Sequence, residues 1–285
     1  MLHKKSIQKY LRPLKPIPTV SLPSGEPIPD IQCVLFDIYG TLFISGSGDI
    51  SLAKQNSPQH ATLRALLAKY EIHKAPRLVL DELHDAIQAR HEQLRRRGIE
   101  HPEVKIDRIW QQVLQADDQC RIRQFAVEFE LIANPVYPMP NLADMLTTCR
   151  RQGLILGIIS NAQFYTPYLF NWFLDSDLPG LGFDADLTFY SYRFETAKPS
   201  IALFEMAAEK LMDKEIQPAF VLYIGNDMLN DIYPAQKVGF KTALFAGDQR
   251  SLRLRADDSR CRDLNPDLVV TDLGQLIGLI AFKGL

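Results

Sequence analysis

Short apolar runs alternate with helically spaced apolar residues along the second half of the chain, from Asn134-Pro135 onward. The short runs predict five strands, which are Leu154–Ile159, Leu187–Tyr190, Phe220–Ile224, Lys241–Phe245 and Leu268–Val270. The helical spacing predicts five helices, which are Leu142–Arg151, Tyr165–Leu174, Ser200–Met212, Asp231–Val238 and Leu273–Phe282. Strands and helices in alternation indicate a parallel sheet that is covered on both faces and has right-handed crossovers.

The apolar run Gln32–Phe36 predicts one more strand ahead of this region. From about residue 58 to residue 134 the pattern is helical only, as in Val79, Leu83 and Ile87, and no convincing strand interrupts it. We therefore predict an α/β fold, a doubly wound, Rossmann-like parallel sheet with a helical cap domain inserted after the first strand.

The first 30 residues contain six prolines, which favour extended backbone and remove hydrogen-bond donors. This segment is predicted to be a tail or a wrapping arm. The predicted domains are a proline-rich arm over residues 1–30, an α/β core over 31–46 and 135–285, and a helical cap over 47–134.

Charge composition narrows the range of partners. The 32 basic and 34 acidic residues give a formal net charge of -2, which provides no global field to attract nucleic acid or an anionic membrane. We therefore predict no nucleic-acid partner and no membrane partner. A small anionic substrate would have to be bound by local groups.

The four cysteines are far apart and form no CxxC pair, which argues against a zinc knuckle or a disulfide framework. The N-terminus lacks an apolar stretch of signal-peptide length, and no apolar run is long enough to span a bilayer. These observations predict a cytoplasmic protein without an export signal or a membrane anchor.

Polar residues follow four of the predicted strands, at the edge where parallel sheets bind ligands. They are Asp37 and Thr41, Ser160 and Asn161, Lys198, and the group Asn226, Asp227 and Asp231. Each of them alone is an ordinary turn or capping residue. Because they occur together, one group at each strand end, they predict a common anion site.

The predicted chemistry centres on Asp37 as a carboxylate nucleophile, which splits one difficult displacement into two easier steps. Lys198 supplies a positive charge where the anionic substrate approaches. The hydroxyl groups of Thr41 and Ser160, with backbone amides of the turn from Asp37 to Thr41, are candidate donors to the substrate. Asp37 and Asp227 supply the oxygen ligands that Mg²⁺ prefers, so Mg²⁺ is the predicted cofactor.

At this point residues 32–283 resemble the haloacid dehalogenase superfamily. Its four motifs appear in order, as DxxGT from Asp37 to Thr41, a strand that ends in Ser160-Asn161, Lys198-Pro199, and the acidic segment IGNDMLND. The resemblance implies that Asp37 is the nucleophile, that Ser160 and Lys198 position the transferring group, and that the helical insertion is a lid. It also implies a metal site formed by Asp37, the backbone carbonyl of Tyr39, Asp227 and Asp231.

Two positions depart from the phosphatase pattern of this superfamily. Tyr39 stands where most of its phosphatases have a second aspartate, which protonates the leaving oxygen and later activates water. The form DxYGT is similar instead to that of the 2-haloacid dehalogenases, which need no such acid. Asn226-Asp227 stands where many members have Gly-Asp or Asp-Asp, and Met228 stands where the dehalogenases have asparagine.

Three functions are compatible with these residues. The favoured hypothesis is an Mg²⁺-dependent phosphatase of a small phosphate ester, because the acidic motif and Lys198 are retained. The second is a metal-independent 2-haloacid dehalogenase, which Tyr39 favours and Met228 disfavours. The third is a non-catalytic scaffold that keeps the fold and an anion site.

Overall fold

The computed structural model describes residues 4–47 and 57–281. The predicted start of the cap, over residues 48–56, lies outside the described residues, as does the end of the predicted last helix at 282. No helix in the described parts of the chain has the length and apolar character needed to cross a bilayer.

A six-stranded parallel sheet forms the core. Its strands are β2 (Cys33–Phe36), β5 (Ile155–Ser160), β6 (Phe183–Tyr190), β7 (Val221–Gly225), β8 (Lys241–Phe245) and β9 (Leu268–Val270). Across the sheet they lie in the order β6-β5-β2-β7-β8-β9. Every residue of β2 and β7 is buried, as expected for central strands that are covered on both faces. The predicted doubly wound α/β fold is therefore confirmed.

Register brings the strand ends to one edge of this sheet. Phe36 lies opposite Ile158 on one side and Ile224 on the other, and the Asp37 amide donates to the Ile224 carbonyl. The residues that follow β2, β5 and β7 consequently meet at the same edge.

Helices flank the sheet and fill the insertion. Those of the core are α6 (Leu142–Arg151), α7 (Tyr168–Leu174), α8 (Ser191–Phe194), α9 (Ala202–Met212), α10 (Tyr233–Lys237) and α11 (Leu276–Leu279). Those of the insertion are α2 (Ser57–Lys69), α3 (Pro76–Arg96), α4 (Ile106–Leu114) and α5 (Gln119–Ala133). An antiparallel ribbon of β3 (Phe43–Ser45) and β4 (Val136–Pro138) joins the two ends of the insertion.

The predicted helix from Leu273 to Phe282 is wrong at its end, from Ile280 onward. A 3-10 turn and α11 occupy the first part, but Ile280–Ala281 forms β10, which pairs in parallel with β1 (Ile28–Pro29) of the arm. The apolar spacing is compatible with both structures, and the pairing with a distant segment favours the strand.

The arm begins with α1 (Lys4–Ile7) and wraps over both parts of the molecule. The Thr19 hydroxyl donates to the Ala246 carbonyl at 2.7 Å in the core, and the Tyr10 hydroxyl donates to Glu128 at 2.9 Å in the insertion. Ile7 is fully buried. The alternative of a wrapping arm, rather than a free tail, therefore describes residues 4–30.

Glu128 is the buried anchor of this arm. Its carboxylate also accepts hydrogen bonds from Lys69 at 2.5 Å and from the Tyr70 hydroxyl at 2.7 Å. Burial alone would raise the pKa of Glu128, but the bonds from Lys69, Tyr70 and Tyr10 hold it below its usual value. The charged form is thus the one that the fold stabilises.

We expect Glu128→Gln to lower the free energy of unfolding by about 1–3 kcal/mol, because an amide cannot accept all of these bonds. The folded-state pKa of Glu128 is depressed, so its contribution is present above the unfolded pKa and is lost as the pH falls through the folded pKa. Urea unfolding at neutral pH and at acidic pH measures both effects. A deficit that did not shrink at acidic pH would contradict this account of Glu128.

Candidate active site

Asp37 follows β2 directly and is the first residue of a tight turn that runs to Thr41. Its neighbour Gly40 has a φ of 86°, and a Cβ atom there would lie 2.5 Å from the Cβ of Ser251, so the turn requires glycine. The Gly40 and Thr41 amides donate to the carbonyls of Phe43 and Ile38. These two amides are therefore engaged within the turn, which corrects the expectation that they bind the substrate anion.

Lys198 connects Asp37 to the acidic segment. Its ammonium group donates to Asp37 Oδ1 at 2.7 Å and to Asp231 Oδ1 at 2.5 Å, and it also contacts the Tyr223 hydroxyl at 3.1 Å. Burial opposes the charge on Lys198, but the two carboxylates outweigh it and raise the pKa of Lys198. Burial raises the pKa of Asp231 to about 7, and Lys198 acts in the opposite direction.

The second predicted group, at the end of β5, has two separate roles. The Asn161 side chain brackets the backbone of Lys198, accepting from its amide at 2.8 Å and donating to its carbonyl at 3.3 Å. The hydroxyl of Ser160 is fully buried, and no hydrogen-bond partner for it is present among the described residues. A buried hydroxyl without a partner is unfavourable. Ser160 does not line the cavity that contains Asp37, so its predicted contact with the substrate stays a prediction.

Thr41 was predicted to donate to the substrate, but it does not line the cavity that contains Asp37. It is fully buried, and its hydroxyl donates to Asn226 Oδ1 at 3.0 Å. The Asn226 amide in turn donates to the Ser251 carbonyl at 2.6 Å. Thr41 thus links the turn from Asp37 to Thr41 to the end of β7, and its hydroxyl does not donate a hydrogen bond to the substrate.

Asp227 is held by Arg255 in a two-pronged ion pair. The Arg255 Nε lies 3.1 Å from Asp227 Oδ1, and Nη2 lies 2.6 Å from Oδ2. Asp227 Oδ1 also accepts the amides of Leu229 and Asn230. Arg255 is a residue of the site that sequence reasoning missed, because nothing in its neighbourhood resembles a motif.

The four predicted metal ligands, Asp37, Tyr39, Asp227 and Asp231, are not assembled as a metal site. Asp227 is occupied by Arg255, and Asp231 accepts Lys198 with one oxygen and the Asp227 amide with the other. No group of three or more His, Cys, Asp or Glu residues within residues 4–47 and 57–281 is placed to hold a metal ion. Mg²⁺ binds oxygen ligands in an octahedral arrangement, usually one or two carboxylates with several waters. Because the oxygens of Asp227 and Asp231 already accept from Arg255, Lys198 and the Asp227 amide, the residues present do not fit it.

A cavity of about 390 Å³ opens above Asp37. Three carboxylates and three cations line it from the core, namely Asp37, Asp227, Asp231, Lys198, Arg253 and Arg255. Its remaining lining is mostly polar, with Asn134, Asn161, Gln163, Asn230 and Ser251 among the residues. The cavity is therefore suited to a polar ligand rather than to an apolar molecule, with Lys198, Arg253 and Arg255 as its positive groups. A larger groove of about 530 Å³, between α3 and α4, does not include Asp37.

Two carboxyl groups from the insertion, Glu103 and Glu130, line the same cavity and were not predicted. Burial raises the pKa of Glu103, although hydrogen bonds from Ser191 and Val104 oppose it. Burial also raises the pKa of Glu130, against hydrogen bonds from Tyr165 and Asn134. Neither gave a signal in the sequence, because Glu130 lies on α5 and Glu103 lies in the segment between α3 and α4, where a glutamate is usually a solvated surface residue.

Tyr39 lines the same cavity as Asp37. Its hydroxyl lies 3.0 Å from Thr166 Oγ1, and burial raises its pKa well above the usual value for tyrosine. Tyr39 therefore stays neutral and does not replace the second aspartate that most phosphatases of the superfamily have at this position.

Comparison with known proteins places these observations in context. The family model of the haloacid dehalogenase-like hydrolases matches residues 31–239. No curated protein matches the sequence.

Solved structures share the fold at low identity. A 2-haloacid dehalogenase from Pseudomonas syringae pv. tomato has 18% identity and a TM-score of 0.54, with 87% of this chain and 97% of that chain covered. An L-2-haloacid dehalogenase from Xanthobacter autotrophicus has 19% identity and a TM-score of 0.50, with 87% and 98% covered. A phosphatase from Thermococcus onnurineus has 18% identity and a TM-score of 0.50, with 86% and 96% covered.

Proposed function

The chain belongs to the haloacid dehalogenase-like hydrolases, and from this membership and the geometry of the site we propose that it hydrolyses a small phosphate ester through Asp37. The observation that carries the proposal is the polar cavity of about 390 Å³ with the Asp37–Lys198 pair in its lining. The phosphate group of such an ester is polar and suits this lining. The fold alone does not decide the substrate.

In the proposed first step a carboxylate oxygen of Asp37 attacks phosphorus. A P–O(Asp37) bond forms, the ester P–O bond breaks, and the leaving oxygen takes the electron pair of that bond and becomes an alcohol by taking a proton from water. Lys198 orients Asp37 by its 2.7 Å hydrogen bond and balances negative charge as the dianion approaches. In the second step water attacks phosphorus, and Asp37 departs as a carboxylate.

No step is assigned to Mg²⁺, because the oxygens of Asp227 and Asp231 already accept hydrogen bonds from protein donors. The dependence on Mg²⁺ that the motifs suggest is therefore not part of this proposal.

A second candidate, 2-haloacid dehalogenation, is favoured by Tyr39, since halide departs without a proton and needs no acid there. In that reaction Asp37 would attack carbon and form an ester, and water would then attack the Asp37 carboxyl carbon. The charges in the lining of the cavity do not separate the two candidates, because a phosphate ester and a 2-haloacid are both anions.

The proposed function predicts phosphate release from a panel of monoesters, with faster turnover of aryl than of alkyl phosphates. A general acid typically increases the rate of an enzymatic reaction about 10²- to 10⁴-fold. Because Tyr39 provides no such acid, esters with poor leaving groups should be slowed most. Phosphate and halide release, measured with and without a chelator, test the two candidates together. Halide release from 2-chloropropionate without phosphate release would replace the first candidate by the second.

Isotope labelling separates the two chemistries in a single turnover. In ¹⁸O-labelled water, attack at phosphorus places the label in inorganic phosphate, whereas attack at the ester carbon places it in the Asp37 carboxylate. Mass spectrometry of the peptide that contains Asp37 reads this directly. A label in that peptide would contradict the phosphatase proposal.

A further inference from the structure

Arg255 stands beside a carboxylate that the sequence marks as a metal ligand. We propose that its guanidinium takes the place of a divalent cation in this site, so that the protein works without a metal. The proposal rests on the proposed function in one respect only, namely that the charge of Arg255 acts on the substrate phosphate. The occupancy of Asp227 itself is independent of the substrate.

The first support is the saturation of Asp227. In addition to the two prongs from Arg255, its oxygens accept the Leu229 amide at 2.9 Å, the Asn230 amide at 3.2 Å and the Asn230 side-chain amide at 3.0 Å. Asp227 is only 5% exposed. A metal ion would have to displace Arg255 and desolvate itself to reach these oxygens.

The second support is the way the backbone fixes Arg255. The Arg253 amide donates to the Asn226 carbonyl at 2.9 Å, and the Met228 amide donates to the Arg253 carbonyl at 2.9 Å, so this loop is bound to the acidic segment. Arg255 itself has a φ of 52°, the left-handed conformation that a residue other than glycine adopts at a cost. The loop tolerates this conformation at the residue whose side chain engages Asp227.

The third support is the rest of the acidic segment. Asn226 is neutral, and its amide bridges Thr41 and Ser251. Asp231 is engaged by Lys198 and by the Asp227 amide. Each carboxylate of the core side of the cavity is thus bonded to a protein cation, Asp37 and Asp231 to Lys198 and Asp227 to Arg255.

Arginine is suited to this role. Its guanidinium keeps its charge at all relevant pH values and matches a carboxylate with two parallel hydrogen bonds. Arg255 lines the same cavity as Asp37, and its Nε and Nη2 are bonded to Asp227 in that lining. The site therefore has a fixed cation where the motif suggests an exchangeable one.

Binding of Mn²⁺, followed by electron paramagnetic resonance, tests the proposal without any substrate. We expect the wild-type protein to leave millimolar Mn²⁺ free in solution, and Arg255→Ala to bind it because Asp227 is released. The double variant Asp227→Asn with Arg255→Ala should lose the acquired site. Arg260→Ala is the matched control, since Arg260 forms the same two-pronged pair with Asp258 but does not line the cavity.

Activity provides the second readout. Wild-type turnover should be unchanged by a chelator, while Arg255→Ala should lose about 100-fold in kcat/KM, and added Mg²⁺ should restore part of that loss. Stoichiometric Mn²⁺ binding by the wild-type protein would overturn the proposal even if Arg255→Ala failed to fold. So would an Arg255→Ala protein that folds and binds no Mn²⁺. A wild-type protein that binds no Mn²⁺ and releases no phosphate would instead refute only the proposed function.

Discussion

Asp37→Asn is expected to fold normally and to lose turnover by about four orders of magnitude or more, as removal of a covalent nucleophile does in other enzymes. Asparagine has the shape of aspartate, but its neutral amide is a poor nucleophile. Lys198 keeps Asp231 as a charged partner at 2.5 Å, so the variant does not leave a buried ammonium group unpaired. The measurements are kcat for the best substrate of the panel and the urea unfolding midpoint.

Asp184→Asn is the matched control for this prediction. Asp184 pairs with Lys214 at 2.8 Å and does not line the cavity, so the same chemical change should leave kcat within about twofold. An Asp37→Asn protein that folds and retains more than a few per cent of wild-type kcat would show that Asp37 forms no intermediate.

The part of the fold that the sequence predicts is the part that repeats a simple pattern. β8, β9 and α6 match their predicted bounds, because each is a buried apolar run or an amphipathic helix with clear ends. β10 was missed, since it exists only by pairing with β1 across most of the chain length. Periodicity carries no information on such a distant partner.

Prediction of the site succeeded and failed for the same reason: the predicted residues follow strands of the sheet, and the missed residue lies in a loop. Asp37, Lys198 and Asp231 were predicted and lie together, because residues that follow neighbouring parallel strands meet at one edge. The partner of Asp227 was not predicted, since Arg255 reaches the site from a loop whose course depends on backbone pairing with the acidic segment. Spacing along the chain identifies which residues approach one another but not which of them neutralise one another.

Lys198→Met should lose activity to a similar extent as Asp37→Asn, but it should also lower the free energy of unfolding by about 3–5 kcal/mol at neutral pH. Lys198 is 6% exposed and is the cation shared by Asp37 and Asp231. Methionine fills the space of the stem but leaves two carboxylates in a buried site without that charge. One of them would have to take up a proton or draw in water.

The dependence of this deficit on pH identifies its cause. Burial already raises the pKa of Asp231 to about 7, above the value of about 3.9 in an unfolded chain, and loss of Lys198 removes the group that opposes this rise. A carboxyl whose folded-state pKa is raised destabilises the fold progressively as the pH rises from the unfolded value to the folded one. The deficit of Lys198→Met relative to the wild type should therefore be largest above pH 7 and shrink at acidic pH, where the carboxyls are protonated. Lys214→Met is the control. Burial opposes the charge of Asp184, but the bonds from Lys214 and the Asp186 amide hold its pKa below the usual value, so the deficit there should be small and should change only below about pH 4. If the deficit of Lys198→Met were the same at all pH values, lost packing rather than lost charge would explain it, and the electrostatic role of Lys198 would be refuted.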